Sequence, residues 1–107
     1  MEKTVRFEEN SDSASPKVLE DPSHNIRLTV DGLRNYALLQ CSSREALFEL
    51  GRTLMEEALF GTGEIEFYPL VSDGQALVVN GVRMPEESAR MFVHFPGTAQ
   101  SSKISEI

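Results

Sequence analysis

The segment from Ser42 to Gly61 constrains this chain most, because its start, its period and its end all predict an α-helix. Ser42 is followed three residues later by Glu45, which is the capping-box pattern: each side chain hydrogen-bonds the backbone N–H of the other residue. Gly61 lies where helices commonly end in a left-handed residue. We therefore predict one long helix over about residues 43–60.

Apolar side chains cover roughly half of this helix's circumference, more than the ~100° that a helix resting on one core requires. The central stripe consists of Leu47, Leu50, Gly51, Leu54 and Ala58, and its flank consists of Phe48, Met55 and Leu59. The opposite face consists of Glu45, Glu49, Arg52, Thr53 and Glu56. We expect the central stripe to face the core and the polar face to meet solvent. The flank is either core or a contact surface for another molecule.

Two strands are predicted before the helix. Residues 26–30 alternate between apolar and polar, and Asp31-Gly32 is a typical hairpin turn. The next strand covers residues 36–41 and begins with the run Tyr36-Ala37-Leu38-Leu39, which is apolar on both faces. We therefore expect it to be an inner strand with a helix on one side and some cover on the other.

Further strands are predicted after the helix. Residues 64–70 place Ile65 and Phe67 on one face, as in a strand with its other face in solvent. A turn follows at Ser72-Asp73-Gly74, and Asn80-Gly81 is the strongest hairpin signal in the chain, because both of its residues tolerate positive φ.

Residues 85–95 have two interpretations. Pro85-Glu86-Glu87 has the composition of a helix start, which predicts a short helix near residues 85–91. Residues 91–95 have the composition of a last strand, which Pro96-Gly97 would end.

The predicted fold class is α+β. It has two layers, with a four- to five-stranded mixed or antiparallel sheet and the long helix on one face, in the order strand, strand, helix, strand, strand. Residues 26–96 are predicted to form one domain. Residues 1–25 are predicted to be a flexible segment, in which residues 3–7 are an edge strand or part of the tail. Residues 97–107 are predicted to be a disordered tail.

Charge and composition exclude several functions. The net charge is -7 and no cluster of Lys and Arg is present, which argues against binding nucleic acid or an anionic membrane. The single cysteine excludes an internal disulfide. The chain shows no signal-peptide pattern and no long apolar span, so we expect a cytoplasmic protein. No metal-ligand spacing or cofactor motif is present, so no metal and no cofactor are predicted.

Three residues are candidates for chemistry. Cys41 directly precedes the predicted helix, where a thiol can have a lowered pKa, although a lone cysteine is more typically a small buried apolar residue. His94 lies in an apolar segment and is either a base in a pocket or a structural histidine. Tyr36 would complete a pocket with them. No catalytic residue is assigned, because no acid or nucleophile has a spacing that recruits His94.

Two functional hypotheses follow. The first is a small acidic non-enzymatic protein-interaction module, which would act as an inhibitor, an adaptor or a homodimer subunit. Its predicted interaction surface consists of Phe48, Met55, Leu59 and Tyr68. The basic residues between positions 26 and 96 are all arginine, the residue favoured in interfaces. The alternative is a small-molecule-binding protein or enzyme with a pocket near His94 and Cys41.

Overall fold

The computed structural model describes residues 16–97, and within them the fold is α+β, as predicted. The helices are α1 (Pro16–Glu20) and α2 (Arg44–Phe60). The strands are β1 (Ile26–Asp31), β2 (Tyr36–Cys41), β3 (Glu64–Phe67), β4 (Val71–Ser72), β5 (Gln75–Ala76), β6 (Val78–Val79), β7 (Val82–Arg83) and β8 (Met91–His94). The edge strand expected at residues 3–7 and most of the expected tail at 97–107 lie outside the described residues.

These strands form four separate two-stranded antiparallel sheets rather than the predicted single sheet of four to five strands. The pairs are β1 with β2, β3 with β8, β4 with β5, and β6 with β7. Three of them are local hairpins, and the predicted turns Asp73-Gly74 and Asn80-Gly81 are confirmed, since all four residues have positive φ. The strands β4 to β7 are only two residues long and are connected by tight turns. Each therefore pairs with its neighbour in the chain and does not join one continuous sheet.

Residues 85–90 form a turn and not the short helix that their composition predicted. The Ser88 N–H donates to the Pro85 carbonyl at 3.0 Å, but the Ala89 N–H donates to the Leu28 carbonyl of β1 at 2.8 Å. This bond holds the segment against the outer edge of β1. The alternative of a last strand is confirmed, because Met91–His94 forms β8.

The α2 helix begins one residue later than predicted. Ser43 is the N-cap, and its hydroxyl accepts the Ala46 N–H at 3.1 Å. Ser42 instead extends the β1-β2 ladder, because its N–H donates to the Asn25 carbonyl at 2.9 Å and its hydroxyl accepts the Asn25 N–H at 2.8 Å. At the other end, Gly61 is extended rather than left-handed (φ -75°, ψ 168°).

The face of α2 that meets the core is not the predicted one. Its buried residues are Ala46, Glu49, Leu50, Thr53 and Glu56, so part of the predicted solvent face points inward. Leu50 is 4% exposed, whereas Leu47 of the predicted core stripe is 55% exposed. The reason is the Asn80-Gly81 turn, which packs on this side of the helix. There the Thr53 hydroxyl donates to the Asn80 carbonyl at 2.8 Å.

The core lies between α2 and strands from three of the sheets. It consists of Ile26, Ala46, Leu50, Ile65, Phe67, Val82 and Met84. Ile65 and Phe67 point inward from β3, as their alternation predicted. The core therefore binds together sheets that no strand ladder joins.

The helix α1 was not predicted from the sequence, where the segment from Glu8 to Asn25 was expected to be a flexible loop. Its one buried side chain is Val18. The buried guanidinium of Arg83 donates to the carbonyls of Val18, Leu19 and Asp21 at 2.8, 3.1 and 2.9 Å. These carbonyls lie at the end of α1, where intrahelical partners are missing, so Arg83 satisfies them.

Candidate interaction surface

The β1-β2 hairpin leaves most of its apolar side chains in solvent. Val30 is 62% exposed and Leu33, at the turn, is fully exposed. The other exposed apolar residues of the hairpin are Tyr36, Ala37, Leu38 and Leu39. Residues 36–41 were expected to be an inner strand, but within residues 16–97 only β1 pairs with β2.

The register of the hairpin determines which backbone groups of β2 are free. Leu28 is opposite Leu39, and Leu28 uses its N–H and its carbonyl on the outer edge of β1, bonding the Ser88 hydroxyl at 2.9 Å and the Ala89 N–H at 2.8 Å. Opposite residues in an antiparallel ladder alternate between pairs that exchange both hydrogen bonds and pairs that exchange none. The Leu39 N–H and carbonyl therefore point away from β1.

The same alternation applies to every second residue of β2. Ala37 and Cys41 are opposite Val30 and Ile26, two residues on either side of the Leu28 pair. Their backbone N–H and carbonyl groups therefore also point to the free edge. The edge thus presents three donors and three acceptors from Ala37, Leu39 and Cys41, with no strand of residues 16–97 beside them.

Natural proteins usually protect such an edge, because unpaired backbone groups bind other chains. Common protections are charged side chains, proline, a bulge or a covering element. The β2 sequence, YALLQC, contains no charged residue, no proline and no glycine. An exposed, uncharged and apolar edge is the structure that strand-addition domains use to bind an extended segment.

The interaction surface predicted from the sequence is partly accessible. Met55 is 40% exposed, and Phe48, Leu59 and Tyr68 are half-buried. Phe48, Met55 and Leu59 share a flank of α2, whereas Tyr68 follows β3. This flank exposes less apolar surface than the β1-β2 hairpin.

The three residues predicted to line a pocket do not all come together. Tyr36 and Cys41 lie at opposite ends of β2, about 17 Å apart at the usual rise of a strand. The His94 side chain is exposed on β8, with its Nε2 3.2 Å from Oε1 of Glu64. Burial raises the pKa of the Cys41 thiol, which opposes the thiolate that a nucleophile requires.

An Asp-His-Ser arrangement, which no pattern in the sequence predicted, lies at the start of α2. His24 Nδ1 is 2.6 Å from Ser43 Oγ, and His24 Nε2 is 3.6 Å from Oδ2 of Asp21. Ser43 Oγ already accepts the Ala46 N–H as the N-cap, and 3.6 Å is too long for a hydrogen bond. We assign this arrangement a structural role: it fastens residues 21–25 to α2. No local spacing connects His24 with Ser43, so only the fold reveals it.

A buried ionic cluster, which the sequence placed in solvent, lies on α2 beneath the Asn80-Gly81 turn. Arg52 bonds Glu49 at 2.9 Å and Glu56 at 3.1 Å, and all three side chains are largely buried. Buried charges cost desolvation and are retained where they are well paired. This cluster explains how a polar helix face can be turned inward.

The part of the chain that the structure describes contains no helix long and apolar enough to cross a membrane. Within the same residues, no group of three or more His, Cys, Asp or Glu side chains is placed to hold a metal ion. In comparisons with known proteins, no family model matches the chain, and no curated protein or solved structure is significantly similar to it.

Proposed function

We propose that this protein is a small acidic protein-interaction module that binds a protein partner by strand addition to the free edge of β2. The observation that carries the proposal is the edge itself, where three residues point their backbone groups outward from an uncharged strand. The interaction module was one of the two hypotheses from the sequence, but the surface proposed now is the hairpin and not the α2 flank.

The chemistry of the edge supplies both affinity and selectivity. Backbone hydrogen bonds to an added strand hold it in place, and the alternating side chains select its sequence. Leu39 and Ala37 continue the apolar face of β1 that reaches the core through Ile26 and Leu28. A bound strand would therefore extend the apolar surface outward from the core and remove Leu39 from water.

A proline at position 39 tests the proposal. Leu39→Pro removes an outward N–H without removing a hydrogen bond between β1 and β2, so the hairpin can persist as an edge strand. The matched control, Leu39→Val, retains both the N–H and an apolar side chain. We expect binding of the partner to weaken about tenfold or more in Leu39→Pro. The variant loses one hydrogen bond to the added strand and leaves a carbonyl of that strand unpaired, which together cost about 1–3 kcal/mol.

The measurement is quantitative capture of proteins from a native extract by the tagged wild type and both variants, with circular dichroism to check folding. A third variant, Met55→Glu, places a charge on the α2 flank. The proposal is overturned if Leu39→Pro retains the same partners as the wild type, or if Met55→Glu loses them while Leu39→Pro does not.

A further inference from the structure

We propose that the strand added to β2 is β2 of a second copy of this chain, so that two protomers form one four-stranded antiparallel sheet. This inference rests on the proposed function and names its partner. The order of strands would be β1 and β2 of one copy followed by β2 and β1 of the other. The two-fold axis would pass beside Leu39.

The position of the axis follows from the backbone. In an antiparallel pair, residues whose N–H and carbonyl point toward the partner strand must be opposite each other. The outward residues of β2 are Ala37, Leu39 and Cys41, which are symmetric about Leu39. A two-fold axis there pairs Leu39 with itself and Ala37 with Cys41, so every outward group of β2 is bonded. A shift by two residues would leave one of the three beyond the end of β2.

The side chains are also compatible with this pairing. Ala37, Leu39 and Cys41 lie on the same face of the hairpin as Ile26. The pairing places these three residues of one copy beside the same three residues of the other copy. On the other face, Leu38 is placed opposite Gln40. Because β2 contains no charged residue, the pairing brings no like charges together along this strand. The edge is thus complementary to itself on both faces.

Charge complementarity favours a second copy over a charged partner. The chain as a whole is strongly acidic, yet residues 26–41 contain only Arg27, Asp31 and Arg34 as charged residues. Arg27 pairs with Glu87 at 2.5 Å, and Arg34 lies 3.7 Å from Asp31. The hairpin therefore offers no unpaired carboxylate to a basic segment, and its uncharged edge suits another uncharged edge. At the contact itself a second copy meets no opposing carboxylate on β2, although the net charge of the two chains still repels them at longer range.

Cysteine crosslinking tests the two-fold axis directly. Paired Cα atoms in a hydrogen-bonded antiparallel pair are about 5.5 Å apart, which a disulfide can span. We expect Leu39→Cys in a Cys41→Ala background to form a covalent dimer on mild oxidation. The control is Thr29→Cys in the same background, because Thr29 lies on β1 and its counterpart would be at least about 14 Å away, which is three strand spacings across the sheet.

The second readout is the oligomeric state, which is measured by sedimentation equilibrium of the purified chain over a series of concentrations. The wild type and Leu39→Val should dimerise, and Leu39→Pro and Leu39→Lys should raise the dimer dissociation constant at least tenfold. Leu39→Lys adds a charge that edge strands use against pairing, and it provides a test that does not depend on whether the proline variant folds.

Each outcome decides between the two proposals. A wild type that remains monomeric at every concentration overturns the second copy, while edge-dependent capture from the extract would leave the proposed function standing. A dimer that Leu39→Lys does not weaken, or one that Thr29→Cys crosslinks as readily as Leu39→Cys, also overturns this inference. If edge-dependent capture is absent as well, both proposals fail.

Discussion

Arg83 shows how much one side chain can decide in a small protein. It is buried, and its guanidinium bonds the carbonyl of Ala76 at 3.0 Å in addition to those at the end of α1. The planar guanidinium group of arginine carries five N–H donors and can bond several carbonyls at once. The ammonium group of lysine cannot reproduce that geometry. Arg83 therefore joins α1, which has little helix-forming capacity of its own, to the β6-β7 hairpin.

We expect Arg83→Lys to lower the free energy of unfolding by about 2–4 kcal/mol, because buried carbonyls lose hydrogen bonds to a charged donor. Chemical denaturation measures the loss, and hydrogen exchange should locate it at residues 16–21. The control is Arg34→Lys on the exposed hairpin turn, where the change should be below about 0.5 kcal/mol. Equal effects at the two positions would contradict the role assigned to Arg83.

At the scale of elements, the Asn80-Gly81 turn is what orients α2. Gly81 has φ +82°, and a Cβ built on it would lie 2.6 Å from Oγ1 of Thr53 and 3.2 Å from Nη2 of Arg52. A side chain at position 81 would therefore displace the Thr53 hydroxyl, which bonds the Asn80 carbonyl. Gly74 has a similar φ of +75°, but nothing lies within 4 Å of its Cβ position.

The two glycines form a matched pair for mutation. Both Gly81→Ala and Gly74→Ala introduce a side chain at positive φ, which costs about 1 kcal/mol or more. Gly81→Ala adds the clash with α2, so we expect it to lose about 1–3 kcal/mol more than Gly74→Ala in chemical denaturation. Equal losses would mean that the turn does not pack on the helix.

The orientation of α2 has its own test. Leu50→Ala should lower the free energy of unfolding by about 2–5 kcal/mol, because it empties a buried site in the core. Leu47→Ala should cost less than about 0.5 kcal/mol, since Leu47 is largely in solvent. The reverse order of the two losses, measured by urea unfolding, would restore the orientation that the apolar stripe predicted.

At the scale of the whole molecule, the net charge of -7 opposes association of two copies, while the proposed contact is uncharged. Salt should therefore strengthen the dimer. Raising NaCl from about 0.05 M to about 1 M shortens the screening length from more than 10 Å to about 3 Å, which removes most repulsion between the two acidic bodies.

We expect the dimer dissociation constant to fall several-fold across this range in sedimentation equilibrium. An interface held by ion pairs would show the opposite trend, because screening weakens attraction between opposite charges. Dissociation at high salt would therefore contradict an uncharged β2 contact and point to a charged surface elsewhere on the molecule.

The elements that the sequence predicted well are those determined by local chemistry. Asn80-Gly81 makes a hairpin turn because its residues tolerate positive φ wherever they occur. The alternation around Ile65 and Phe67 correctly predicted the buried face of β3. The N-cap is Ser43 and not Ser42 of the predicted capping box, because Ser42 is bonded to Asn25, a partner 17 residues away that no local pattern could reveal.

The sequence by itself determined the α+β class, the long helix, the hairpin turns and the uncharged, apolar composition of β2. Each depends on residues within a few positions of one another. Tertiary structure alone decided which face of α2 is buried and whether β2 is an inner or an edge strand. The pattern of apolar residues shows how hydrophobic each face of α2 is, but the burial of a face depends on which other elements pack against it. The Asn80-Gly81 turn packs on a polar face of α2 whose charges Arg52 pairs, and this buries that face. The separate small sheets leave β2 with no second neighbouring strand among residues 16–97.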